Sequence, residues 1–243
     1  MAWSDEFNGP DGAPPDRAKW FVQTGGDGWG NDELEYYTSR TQNVRQEAGN
    51  LVLEARKENY SDSDGVRRNY TSARLNTEKR FSQRYGRFEA RLKIPTGSGL
   101  WSAFWILGDN FSSVGWPDCG EIDAMENIGS EPATLHGALH GPGFYGKTAL
   151  AAAYKLPRGR LGDDFHLFAV EWEPGVVRFF VDDVLFSART PADLGPGKSW
   201  VYDHPFFIIL NLAVGGAMPG RPDDSTVFPQ RMLVDYVRVY VRK

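Results

Sequence analysis

The chain has a single cysteine, Cys119, among 243 residues, so no intrachain disulfide can form. At this length none is needed, because the chain can bury a large core without covalent staples. The missing disulfides neither require nor exclude an oxidising compartment. Positive charge is not in excess: 27 Lys and Arg face 32 Asp and Glu, a net charge of −5. That removes the electrostatic case for nucleic acid or an anionic membrane as partner. No apolar run approaches the ~20 residues of a membrane-spanning helix. Internal repeats, low-complexity tracts and a long amphipathic helical pattern are also lacking. Met1-Ala2-Trp3-Ser4-Asp5 has none of the features of a secretory leader.

What the chain does have is many short strand signals separated by Gly, Pro and Asp turns. Phe88, Ala90, Leu92 and Ile94 alternate with Arg87, Glu89, Arg91 and Lys93, which predicts a strand with one face in the core. Leu51, Leu53 and Ala55 share one face of another. His166–Glu173 and Val176–Asp182 predict a hairpin turning at Pro174-Gly175, and Phe206–Val214 reads as a buried strand. Residues 59–70 predict a surface loop, and residues 142–163 a long connection at a cleft rim. The whole predicts a single all-β domain over 1–243, a two-sheet sandwich.

The densest stretch is Glu121-Ile122-Asp123-Ala124-Met125-Glu126, three carboxylates separated by apolar residues. On a strand, Glu121 and Asp123 point the same way, and strict alternation would add Met125. A β-bulge at Ala124-Met125 returns Glu126 to that face. Two such carboxyls suit glycoside hydrolysis, at ~5 Å for a retaining enzyme or ~6.5–9.5 Å for an inverting one. A half-exposed strand with a solvated acidic face is the alternative. Trp101, Trp105 and Trp116 nearby weigh against it, because flat aromatic faces suit sugar rings. Alternation puts Trp101, Ala103 and Trp105 on one face but leaves open whether that face is cleft or core.

Trp116-Pro117-x-x-Gly120-Glu121-Ile122-Asp123-x-x-Glu126-x-x-Gly129 resembles the signature of glycoside hydrolase family 16, in its laminarinase-like, endo-β-1,3-glucanase form. Similar matches run through Trp3–Gly9, Gly28–Thr38, Tyr85–Arg91 and Asn211–Gly216. The resemblance implies a concanavalin A-like jelly roll with a concave substrate cleft. It also implies a retaining mechanism with Glu121 as nucleophile, Asp123 as assistant and Glu126 as acid/base. It places His140 beside them, and Asn31, Arg74, Trp101, Trp105 and Trp116 along the sugar cleft. No catalytic cofactor is implied. Some members hold a structural calcium, here matching Glu6 and Gly49 through backbone oxygens and Asp235. Asp235 interrupts an inward row of valines, and a charge there needs calcium, an arginine or backbone N–H bonds. Glu171 and Trp172 are expected near the sugar. His136, four residues before His140, reads as a structural histidine as readily as a cleft residue. The expected protein is a secreted monomer acting on β-1,3-glucan, with mixed-linkage glucan as a second substrate. A lichenase, galactanase or agarase, and a non-catalytic glucan-binding module, are the rival readings.

Overall fold

The computed structural model describes residues 1–241. β-Branched and aromatic runs, broken by turn residues, become strands throughout. The first are β1 (Trp3–Asp5), β2 (Phe21–Gln23), β3 (Glu35–Tyr37), β4 (Val44–Glu47), β5 (Asn50–Ser61) and β6 (Arg67–Ser72). Next come β7 (Arg74–Asn76), β8 (Gly86–Lys93), β9 (Leu100–Gly108), β10 (Glu121–Ile128), β11 (Thr134–His140) and β12 (Ala152–Lys155). The last are β13 (His166–Glu173), β14 (Val176–Val181), β15 (Val184–Arg189), β16 (Phe206–Val214) and β17 (Gln230–Tyr240).

Two sheets result. One runs β15-β14-β13-β8-β17-β5-β6-β3, with β1 added on β17 and β4 on β5. The other runs β12-β11-β10-β9-β16-β7-β2. The chain crosses between them at Ala73, which separates β6 from β7. One hydrophobic cluster joins their inner faces. It includes Phe88, Ala90 and Leu92 of β8, Phe104 and Ile106 of β9, Ile122 of β10, and Ile208, Leu210 and Leu212 of β16. The all-β sandwich read from the sequence is therefore the observed fold. The alternation in β8 and the β13–β14 hairpin also form as expected.

Several local expectations need correction. Residues 59–70 are mostly strand, because β5 continues to Ser61 and β6 starts at Arg67. Polar contacts rather than apolar alternation hold this ribbon: the Glu58 carboxylate accepts from Thr71 and Arg40, and Tyr36 packs on Tyr60. Residues 142–163 contain β12, which extends the second sheet beside β11. Glu171 and Trp172 do not approach the site, because β13 lies in the opposite sheet. Glu171 pairs with Arg87, while Trp172 is 2% exposed and donates to the Tyr202 carbonyl. Asp235 does not break an inward row. A register shift between Val234 and Tyr236 keeps Val234, Val237 and Val239 inward and turns Asp235 out to Arg91, at 2.6 Å.

Gly108 ends β9 beside the turn that launches β10, where its N–H donates to the Gly120 carbonyl. A Cβ there would lie 2.0 Å from the Cys119 carbonyl oxygen, and backbone cannot yield cheaply. Gly108→Ala is expected to destabilise by about 2–4 kcal/mol. Denaturant unfolding would read this as an earlier midpoint at an unchanged slope, and an unchanged midpoint would contradict the close approach.

Candidate active site

The β-bulge decides which side chains share a face. Against β9, Glu121 pairs with Leu107, Asp123 with Trp105 and Glu126 with Ala103, while Met125 pairs with Phe104. Ala124 is the extra residue, and both Ala124 and Met125 point into the core. Against β11, Glu121 pairs with His140 and Glu126 with His136. Glu121, Asp123 and Glu126 thus occupy the outer face of the seven-stranded sheet, together with Trp101 and Trp105. Phe104 and Ile106 take the core side, which resolves the ambiguity that alternation left.

The three carboxylates are closely surrounded. Trp116 Nε1 donates to Glu121 Oε2 at 2.9 Å, and Trp101 Nε1 donates to Glu126 Oε1 at 3.0 Å. His140 Nε2 lies 3.0 Å from Asp123 Oδ2 and 3.8 Å from Glu121 Oε1. The Asp123 approach is close but not aligned, and Oδ2 completes no hydrogen bond. Gly146 N–H donates to His140 Nδ1 at 3.2 Å, so the ring proton of the neutral imidazole is assigned to Nε2, facing the carboxylates. Tyr202 O–H holds the His140 carbonyl at 2.8 Å.

Burial is the largest influence on all three acids. It pushes Glu121 up to about 8, with the Asp123 charge next. It pushes Glu126 up to about 7, with the Glu121 charge next. Asp123 is driven well above the carboxylate range by burial and by Glu126. These groups share protons and titrate as a unit. Each glutamate has one indole donor, Trp116 N–H on Glu121 and Trp101 N–H on Glu126, and the His140 imidazole lowers both. Charge on Glu121 raises Glu126, so at intermediate pH one member of the pair is ionised while the other keeps its proton. One carboxylate and one carboxylic acid on a shared face can cleave an acetal.

The predicted cleft residues flank this group. The Arg74 guanidinium sits between the rings of Trp29 and Trp105, at 4.8 and 4.9 Å, and its Nε donates to Gln23 at 2.8 Å. Asn31 Nδ2 reaches Glu33 Oε1 at 3.4 Å. Trp116, 44% exposed, packs edge-on against Tyr145, which is 48% exposed. The resemblance covered the stretches that hold Trp29, Glu33, Tyr37 and Asn211 without giving those residues individual roles, and Tyr145 was missed. Tyr145 carried only the signal of an aromatic in a Gly-rich loop. His136, on the same face as Glu126, lies 3.3 Å from Glu131 Oε2.

The expected calcium positions lie on the other sheet. Gly49 is in the β4–β5 turn, Asp235 is the outturned residue of β17, and Glu6 follows β1. β1 and β5 both pair with β17, so the three are neighbours. The Glu6 carboxylate accepts twice from Arg238, at 3.0 and 2.8 Å, and Asp235 Oδ2 accepts from Arg91. The donors that fit calcium are therefore backbone carbonyls and the Asp235 carboxylate, all hard oxygens, with Arg91 competing for the last.

A two-sheet sandwich carrying paired carboxyls on an aromatic outer face is the architecture of a glycoside hydrolase. A model of glycosyl hydrolases family 16 matches residues 31–238, and the chain belongs to that family. The "Beta-glucanase" of Rhodothermus marinus is 43% identical over 250 residues, covering 99% of this chain and 84% of that protein. The endo-β-1,3-glucanase structure from Pyrococcus furiosus superposes with a TM-score of 0.94 at 46% identity, covering 99% of this chain and 93% of the other. The laminarinase catalytic domain of Thermotoga maritima gives the same TM-score of 0.94 and 46% identity, over 100% and 98% of the two chains.

A carboxyl whose pKa is raised on folding stabilises the fold below its unfolded value, and that contribution is lost as pH rises through the folded value. For Glu126 the window runs from its ordinary 4.5 to about 7. Glu126→Gln is expected to slow hydrolysis about 10²–10⁴-fold yet to raise Tm at pH 8 by roughly 2–6 °C. The gain should vanish near pH 4. A lower Tm at pH 8 in melts across pH would contradict the buried-acid account.

Proposed function

We propose that this protein is an endo-acting, retaining β-1,3-glucanase of laminarin-type glucans, with mixed β-1,3-1,4-glucan as a second substrate. The observation that carries the reading is the bulge at Ala124, which puts Glu121, Asp123 and Glu126 on one tryptophan-lined face. The β-1,3 assignment is supported by the relatives, whose names are those of β-glucanases and laminarinases.

In the proposed reaction the Glu121 carboxylate attacks the anomeric carbon. The glycosidic C–O bond breaks as Glu126 gives its proton to the leaving oxygen. Esterification removes the Glu121 charge that raises Glu126, so Glu126 becomes a competent base. It then takes a proton from water, the water oxygen joins the anomeric carbon, and the ester releases Glu121. Asp123, within hydrogen-bonding reach of Glu121, steadies that carboxylate as its charge changes, and His140 Nε2–H assists from the opposite side. Asn31, Arg74, Trp101, Trp105 and Trp116 bind the glucan on the surrounding face. A polymer too large to enter a cell is met outside it, so the enzyme is taken to act as a secreted monomer.

Digests of laminarin, lichenan, galactan and agarose should release mixed short oligosaccharides from laminarin, with β-anomers appearing first by NMR. α-Anomers would overturn retention, and products only from galactan or agarose would overturn the specificity. Glucan affinity without any product would support the binding-module alternative. For the structural calcium, millimolar Ca²⁺ is expected to raise Tm over chelator-treated protein, and Asp235→Ala to remove that response. Identical melts with and without chelator would dismiss the ion.

A further inference from the structure

We infer that Glu33, outside the reacting group, is a positioning residue for this cleft, anchoring a hydrogen-bonded chain that aims Trp105 and Asn31 at the sugar. The inference rests on the glucanase reading of this face. Glu33 is 3% exposed, at the loop that pairs with Gly215. Its Oε2 accepts the Tyr37 hydroxyl at 2.8 Å, and its Oε1 accepts Asn31 Nδ2 at 3.4 Å. A hydroxyl has one proton to give, and Tyr37 gives it to Glu33. Tyr37 Oη therefore accepts, from Asn211 Nδ2, at 3.4 Å. That fixes the Asn211 amide with its oxygen towards Trp105, whose indole N–H it accepts at 2.8 Å.

Every donor in the chain from Trp105 points towards Glu33, so the acceptor oxygens of Glu33 set its direction. Glu35 lies alongside, 0% exposed, with Oε2 accepting the Val214 N–H at 2.7 Å. Burial, with neighbouring Glu33 next, pushes the Glu35 carboxyl well above the usual carboxylate range. The Arg74 guanidinium, packed on Trp105 and Trp29, closes the flank. None of these groups touches Glu121 or Glu126 through a hydrogen bond among the described residues, so the chain governs binding rather than bond cleavage.

The test is steady-state kinetics on laminari-oligosaccharides with Glu33→Gln, Tyr37→Phe and the double variant, each checked by its melting temperature. Glu33→Gln keeps the shape and replaces one of the two acceptor oxygens with an amide donor. Tyr37→Phe removes only the hydroxyl and carries the test if Glu33→Gln does not fold. The expected result is a KM raised about 5- to 20-fold with kcat within about twofold of wild type. The double variant should be no worse than the single ones, because a broken chain cannot be broken twice. Unchanged KM in a folded variant, a loss confined to kcat, or multiplying effects would overturn the inference. If the wild type ignores laminarin but cleaves another glycan, the proposed specificity falls. The same KM comparison on that glycan then decides the role of Glu33.

Discussion

The site depends on one residue too many in β10. A strand running with strict alternation would bury one of its three acids or expose its core residues. The bulge at Ala124 avoids both outcomes: Ile122, Ala124 and Met125 stay in the core while Glu121, Asp123 and Glu126 face outwards. The neighbouring strands supply what the carboxyls need. β9 brings Trp101 to Glu126, β11 brings His140 to Asp123 and Glu121, and the loop before β10 brings Trp116 to Glu121. Chemistry and fold are thereby coupled through a single register shift.

That coupling works against stability. Three acids near one another and largely out of water resist ionisation, and the folded state loses stability as pH rises through their elevated range. The rest of the molecule supplies the rigidity that tolerates this. All nine residues of β16, which lies within the seven-stranded sheet beside β9, are buried, and the hydrophobic cluster bridges both sheets. A second group of buried acids, Glu33 and Glu35, sits on the flank with its own hydrogen-bonded partners. The protein thus holds two separate groups of buried acids, the three carboxyls of β10 and the Glu33–Glu35 pair.

Much of this was legible in the sequence, for physical reasons. Period-two alternation exposed β8 because one of its faces is oily and the other charged. The acids could be read because spacings of two and three residues are compatible with one face only through a bulge. The ribbon of β5 and β6 was hidden, because Glu58, Arg40 and Thr71 hold it through polar contacts that resemble loop composition. Trp172 was misplaced because an indole in the core and an indole under a sugar are alike in sequence. Asp235 was read in the wrong direction because a second bulge shifts the register of β17. The chain from Glu33 to Trp105 joins residues up to 178 apart in sequence, Glu33 to Asn211, and no local pattern announces it.

The central claim is that the acid presented at the head of the bulged strand forms the bond to the sugar. Trapping with a slow-turnover 2-deoxy-2-fluoro-laminaribioside, followed by peptide mass spectrometry, tests it most directly. The account predicts one glycosyl group per chain, esterified to Glu121. A label on Glu126 or Asp123, or full turnover without any trapped ester, would contradict it.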